Sequence, residues 1–307
     1  MLSDRVMNII ARIDEGKRII DSHRPLPAAV LNRLRENIVI DWTYNSNAIE
    51  GNTLSLKETQ LVLQEGLTIG RKSLVEHLEA INHRDAIGFV EDLAEEDEPL
   101  SERTIREIHA IVLKEIDPKY AGRYRDIQVR IAGSPHTPPD ALHINRLMQE
   151  FADQHLSKPH EHPIARAALA HFSLVDIHPF VDGNGRTARL LMNLILIQEG
   201  YFPAIILKND RHKYYAALEK AHSGKVDDFI IFIARALERT MYLYLETIPG
   251  LVSNFLTLAE AAEESPYSKE YLNVLARRGG IAAFKLKRNW LVSREALQEY
   301  VSRIKKQ

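Results

Sequence analysis

Cysteine is absent from the 307 residues, which excludes disulfides, thiol catalysis and cysteine-ligated zinc. No run of eighteen apolar residues occurs, so no transmembrane helix and no membrane partner are expected. The first residues lack the apolar centre of a signal peptide, and the expected compartment is the cytoplasm. Repeats and low-complexity segments are missing as well. What remains is ordinary for a folded protein: 45% hydrophobic and 27% charged residues, in a chain long enough for two or three domains. The net charge of −2 conceals an asymmetry, because residues 271–307 carry nine Lys or Arg against Glu295 and Glu299. Thirteen histidines invite a metal reading, but His155, His160 and His162 fall in a proline-rich stretch without further ligands, and no zinc site is expected there.

Helical periodicity dominates. The spacing of apolar residues predicts helices over about 1–20, 28–47, 56–65, 73–94 and 101–115. Residues 95–99 form an acidic turn, and Pro249-Gly250 reads as a linker. Ile164, Ala167, Ala168, Phe172 and Val175 share a helical face, and the His178-Pro179 pair ends that helix. A further helix begins after Gly185, with Leu190, Leu191, Leu194, Ile195 and Ile197 on its apolar side.

Between those two helices, residues 178–189 read His-Pro-Phe-Val-Asp-Gly-Asn-Gly-Arg-Thr-Ala-Arg. Gly183, Asn184 and Gly185 stand at a helix N-terminus, where free backbone N–H groups and the dipole favour an anion. Glycine permits positive φ and a close approach by that anion. Arg186 and Arg189 are three residues apart, on one face beside the turn, and their planar forks suit phosphate oxygens. Asp182 is a hard oxygen donor of the kind that holds Mg²⁺. His178 is able to accept a proton near neutral pH, and Phe180 is expected to anchor the loop in the core. Singly, each of these residues has an ordinary structural explanation. Together they fix eight positions, and at ~5% per residue a chance match is on the order of 10⁻¹⁰ per start site.

The pattern His-x-Phe-x-Asp-Gly-Asn-Gly-Arg-x-x-Arg resembles the signature of the Fic family at every fixed position. The resemblance implies a mainly α fold: a Fic-type helical bundle with a small β-hairpin flap. It implies transfer of AMP from ATP to a Ser, Thr or Tyr hydroxyl of a protein. His178 would be the general base. Asp182 would hold Mg²⁺ on the α- and β-phosphates. Gly183, Asn184 and Gly185 would form the anion hole, Arg186 would bind the β-phosphate and Arg189 the γ-phosphate. Some Fic relatives move phosphate, phosphocholine or UMP instead, but Asp182, Arg186 and Arg189 favour ATP. The expected partners are a protein target, the chain itself as a target, and a second copy in a homodimer.

Residues 46–52 read Ser-Asn-Ala-Ile-Glu-Gly-Asn. By spacing alone this is a helix end with Gly51 as its cap. Beside the loop motif it resembles the inhibitory motif of Fic proteins, matching at Ser46, Glu50 and Gly51. The resemblance implies that Glu50 pairs with Arg189 and crowds the γ-phosphate. Glu50 orienting a water that removes AMP from a modified target is a second role some members show.

In residues 122–140, Ile127, Val129 and Ile131 alternate with polar residues, which predicts a hairpin ending at Gly133. The resemblance suggests a flap that docks the target backbone. Asp210 reads as a helix N-cap. A tyrosine in the helix that follows often contacts adenine in Fic proteins, which makes Tyr214 and Tyr215 candidates.

After the linker, Thr257 and Glu260 form a capping box. A helix from about Lys269 to Arg278 follows, then strands over Ala282–Lys287 and Asn289–Val292 and a helix capped by Ser293. This order resembles a winged-helix domain of the excisionase-like kind. The sequence-based partition is 1–100 (inhibitory helical region), 101–247 (catalytic core) and 251–307 (winged-helix domain). The competing reading is a DNA-binding regulator that uses the basic residues 271–307, with the Fic core as sensor or partner module. A fold reused for protein contact is slightly favoured over DNA binding.

Overall fold

The computed structural model describes residues 2–96, 99–131, 134–156, 161–248, 251, 255–278, 280–281, 283–286 and 289–305. Asp97, Glu98, Gly133, His160, the linker at Pro249-Gly250, Gly279, Ala282, Lys287, Arg288 and Lys306 lie outside them. The fold is mainly α. Its helices are α1 (Asp4–Ser22), α2 (Ala28–Ile49), α3 (Leu56–Glu65), α4 (Leu74–Glu96), α5 (Glu102–Val112), α6 (Ile144–Phe151), α7 (Pro163–Ile177), α8 (Asn184–Gln198), α9 (Arg211–His222), α10 (Val226–Leu245), α11 (Leu258–Glu263), α12 (Lys269–Arg278) and α13 (Arg294–Lys305). Among the described residues none of these helices is long and apolar enough to cross a membrane.

The chain divides into two compact units, residues 36–233 and residues 1–35 with 234–307. In the first, α7 and α8 pack against each other, and α4 and α5 lie against α8. The predicted apolar face of α8 is real: Leu190, Leu191, Leu194 and Ile195 are fully buried. Each contributes roughly 1.5–3 kcal/mol by leaving water. Burial extends around the helix to Arg186, Thr187 and Arg189, so α8 is a central helix rather than one with a solvated side. Proline at the first position of α7 suits the fixed φ of a helix start.

In the second unit, α1 buries Val6, Ile9, Ile10 and Ile13, and Gly16 gives Met241 direct access to its backbone. Three strands, β1 (Phe255–Thr257), β2 (Ala283–Leu286) and β3 (Asn289–Ser293), form an antiparallel sheet in the order β1-β3-β2. The capping box of Thr257 and Glu260 is formed, and the Ser293 hydroxyl accepts from Ala296 N–H at 3.1 Å. Helix, helix, hairpin and helix thus follow as the sequence predicts. Strand β1 was not foreseen, because three residues carry no period and its pairing is supplied by β3.

The hairpin expected over residues 122–140 has no strand ladder among the described residues. Side chains take the carbonyls that a partner strand would use. Arg125 donates to Ile127 O at 3.0 Å and Pro139 O at 2.6 Å, and Gln128 donates to Pro138 O at 3.0 Å. Pro135, Pro138 and Pro139 have no N–H to offer a ladder. The described residues of the segment are irregular, with Ile127 46% exposed.

Candidate active site

Local chemistry shapes the loop from α7 to α8. His178 ends α7 in the left-handed region, φ 52° and ψ 58°. A non-glycine residue there costs roughly 1–2 kcal/mol, and the surroundings hold it in place. Its N–H donates to Leu174 O at 3.0 Å, its carbonyl accepts from Arg125 Nε at 2.9 Å, and the next carbonyl, of Pro179, accepts from Arg125 N–H at 2.8 Å. Asn184 closes the turn: its side chain accepts from Phe180 N–H and donates to Phe180 O, both at 2.9 Å. Phe180 is fully buried, as expected, and stacks on His109 with ring centres 3.6 Å apart.

His109 is a neighbour of the loop that the sequence did not reveal. Its Nδ1 accepts from Gly122 N–H at 2.9 Å, so Nε2 carries the proton and donates to Asp182 O at 2.9 Å. Burial pushes its pKa down to about 4, and the neutral ring serves as a fixed brace. Gly183 sits over it with φ 75°, where a Cβ would lie 3.3 Å from the imidazole.

The His178 ring has a fixed tautomer. Nδ1 lies 3.3 Å from Val175 O. A carbonyl only accepts, so Nδ1 holds the proton and Nε2 keeps its lone pair. Burial is the main cause that lowers the pKa to about 4. The imidazole is therefore neutral and receptive at pH 7.

The two arginines are buried and paired. Arg186 meets Glu79 at 2.7 Å and Asp182 at 3.1 Å. Arg189 meets Glu50 at 2.8 Å and donates to the hydroxyl and carbonyl of Ser46, both at 2.9 Å. Burial disfavours the Arg189 cation most, but the charge and hydrogen bond of Glu50 together with the neighbouring Tyr214 and Tyr215 raise its pKa overall. Even so, Arg189 Nη1 and Arg186 Nε are buried without an acceptor. Asp182 is 70% exposed, with only one oxygen drawn toward Arg186. The backbone N–H groups that open α8 complete a pocket able to take several anionic oxygens.

Glu50 reaches this pocket because α2 ends there with defined geometry. Gly51 has φ 108°, its N–H donates to Ala48 O, and Asn52 N–H donates to Asn47 O, which is a Schellman termination. Side-chain amides pin the end: Asn47 donates to Glu79 O at 3.1 Å, Asn52 to Glu76 O at 3.0 Å, and Asn45 accepts from Lys208 N–H at 2.8 Å. Arg211 donates to Ile49 O at 2.8 Å. The Glu50 carboxylate then lies so near Gly185 that a Cβ on that residue would collide with it. Ser46, Glu50, His178, Asp182, Gly183, Asn184, Gly185, Arg186 and Arg189 are thus brought together. The Asn184 side chain is committed to Phe180, so only its backbone N–H faces the pocket.

The two tyrosines divide. Tyr214 is 2% exposed and bonds His171 at 3.1 Å, and burial raises its pKa. It has no surface left for a ligand. Tyr215 is partly open, with the Arg211 guanidinium 4.8 Å from its ring centre. Asp210 precedes α9 without capping it, and its carboxylate pairs with Lys213 at 2.8 Å. Glu79, His109 and Arg125 carried no local signal, since each acts on a loop many residues away.

Residues 99–196 match the Fic/DOC family, and residues 255–305 match a helix-turn-helix domain. The chain is similar to a protein adenylyltransferase Fic of Nematostella vectensis, 42% identical over 242 residues, which cover 77% of this chain and 56% of that protein. It thus spans about half the length of the curated relatives it matches. The solved Fic-1 fragment (residues 134–508) of C. elegans is 35% identical with a TM-score of 0.69, covering 78% of this chain and 72% of that one. A Fic family protein from Desulfovibrio desulfuricans G20 shares the fold at 22% identity, TM-score 0.66, over 96% and 97% of the two chains.

Proposed function

The chain belongs to the Fic family, and from that premise we propose that it is a protein adenylyltransferase restrained by its own Glu50. One observation carries the reading: the neutral imidazole of His178 stands beside a helix N-terminus whose Arg189 is already occupied by a carboxylate. ATP is the proposed substrate. Arg186 and Arg189 have buried N–H groups lacking acceptors, as a site for phosphate oxygens requires. Residues 101–247 are proposed as the catalytic core, and Tyr215 rather than Tyr214 as the adenine contact. The exposed carboxylate of Asp182 suits Mg²⁺, which when bound would neutralise charge on the phosphates.

In the proposed reaction, His178 Nε2 takes the proton of a Ser, Thr or Tyr hydroxyl. The hydroxyl oxygen bonds the α-phosphorus, the bond from that phosphorus to the bridging oxygen breaks, and pyrophosphate leaves. The N–H groups at the start of α8 stabilise charge on the phosphate oxygens. The unladdered residues 126–131 offer backbone groups to a target strand. The cytoplasm, where ATP is abundant, is the proposed compartment.

The test is transfer of labelled AMP from ATP with Mg²⁺ onto protein in a lysate, by Glu50→Gly and by Glu50→Gly/His178→Ala. Label is expected only with the first. Equal labelling by both would remove the catalytic role of His178. The helix-turn-helix match favours a second reading, DNA binding through residues 271–307. A gel shift at low salt, where phosphate contacts are strongest, should then retard a duplex. No retardation there would remove that reading.

A further inference from the structure

Outside the nucleotide pocket, three metal-binding side chains converge from separate elements. His136 comes from the irregular segment, Asp176 from the last turn of α7 and His222 from the end of α9. One ligand atom of each lies within 4.8 Å of the others. Asp176 Oδ1 is 3.4 Å from His136 Nε2 and 3.1 Å from His222 Nε2. Zinc bonds of 2.0–2.1 Å at a tetrahedral angle need ligand atoms about 3.3 Å apart. Two edges of the triangle already have that length. The imidazoles stack with centres 4.1 Å apart, so modest ring rotation closes the third.

We propose that His136, Asp176 and His222 form a site for a borderline divalent cation of the zinc class, separate from the Mg²⁺ expected at Asp182. Two imidazoles and a carboxylate are the donor set such ions prefer, with a remaining position open to water. The His222 side chain is 15% exposed and that of Asp176 40%, which shelters the site and leaves an entry. His222 Nε2 makes no hydrogen bond despite its nearness to Asp176, so its lone pair is uncommitted. Nearby, Ser134 donates to Glu219 at 2.6 Å, and Phe172 meets the His222 ring edge-on at 5.1 Å.

Its position gives the ion a consequence. His136 Nε2 donates to the Asp176 carbonyl at 2.9 Å; the ion would replace that hydrogen bond, with the ring proton moved to Nδ1, and Asp176 follows Val175, whose carbonyl orients the His178 ring. A cation here would fasten residues 134–139 to the turn that carries the base, so target docking and catalytic geometry would respond together to metal supply.

The experiment titrates the full chain with Zn²⁺ alone, without ATP or Mg²⁺, by calorimetry. One site per chain is expected. Loss of an outer-shell partner already weakens metal sites by 10–100-fold, so His136→Ala and His222→Gln should each weaken binding by more than about tenfold. Hydrogen exchange of the unmutated protein supplies a readout that needs no variant, and Zn²⁺ should slow amides in residues 134–140 and at the end of α9. Equal binding by wild type and His136→Ala/His222→Gln would overturn the assignment. Protection confined to other histidines or to Asp182 would overturn it too.

Discussion

Replacing Glu50 by glycine should release the site, and the structure allows the size of the effect to be worked out. The carboxylate lies 2.8 Å from Arg189 and against Gly185, where a γ-phosphate would sit. Two like charges about 4 Å apart repel by ~4 kcal/mol at an effective dielectric of 20. The Glu50 side chain is 31% exposed, and water screens part of this, leaving about 3 kcal/mol. That corresponds to on the order of a hundredfold in correctly bound ATP. The fold should tolerate the change: glycine costs about 1 kcal/mol at a helix interior, and the termination through Gly51 and Asn52 is independent of the side chain. The assay is initial-rate AMP transfer with ATP varied, comparing wild type, Glu50→Gly and Glu50→Gln. Glutamine removes the charge but keeps the bulk, so its rate should fall between the others. A Glu50→Gly protein that binds ATP yet transfers no faster than wild type would refute the reasoning.

Three further outcomes are expected. Ser46→Ala removes the hydroxyl that accepts from Arg189 Nε, and should raise basal transfer by less than Glu50→Gly in the same assay. Gly183→Ala forces a side chain to φ 75° and onto His109, and should cost at least about 1–2 kcal/mol in denaturant unfolding together with loss of transfer in the Glu50→Gly background. His109, His155 and His178 have folded pKa values lowered to about 4 from 6.5. Their stabilising contribution is complete above pH 6.5 and is lost as pH falls toward 4, at up to ~3 kcal/mol each. Circular dichroism against pH should show unfolding inside that window, and a chain unchanged at pH 4 would contradict the burial of these rings.

The loop from α7 to α8 was legible because its parts lie within twelve consecutive residues, and a proline, two glycines and the start of α8 fix their geometry. The Glu50–Arg189 pair was legible only through the family pattern, since 139 positions separate its members. What escaped was the support. His109 reaches Asp182 across 73 positions and Arg186 finds Glu79 across 107, and nothing in either local sequence marks the contact. The hairpin failed for a different reason. Alternation in Ile127, Val129 and Ile131 reports a period of two, but Arg125 and Gln128 satisfy the carbonyls that pairing would need. With Tyr214 and Tyr215, type alone could not tell a core ring from a surface one. Burial on α9 separates them.

The missing methyl at Gly185 makes the head of α8 a seat for one occupant. Against the triphosphate of the proposed reaction, the tethered carboxylate would compete as though present at millimolar concentration or above, because the chain never lets it diffuse away. In the proposed function, a rise in nucleotide within the usual range would therefore displace it poorly, and apparent affinity for a properly seated triphosphate would fall by the fraction of time the seat is vacant. For the proposed adenylyltransferase, activation would then be a matter of what draws the tether aside, and ATP supply alone would be a weak signal.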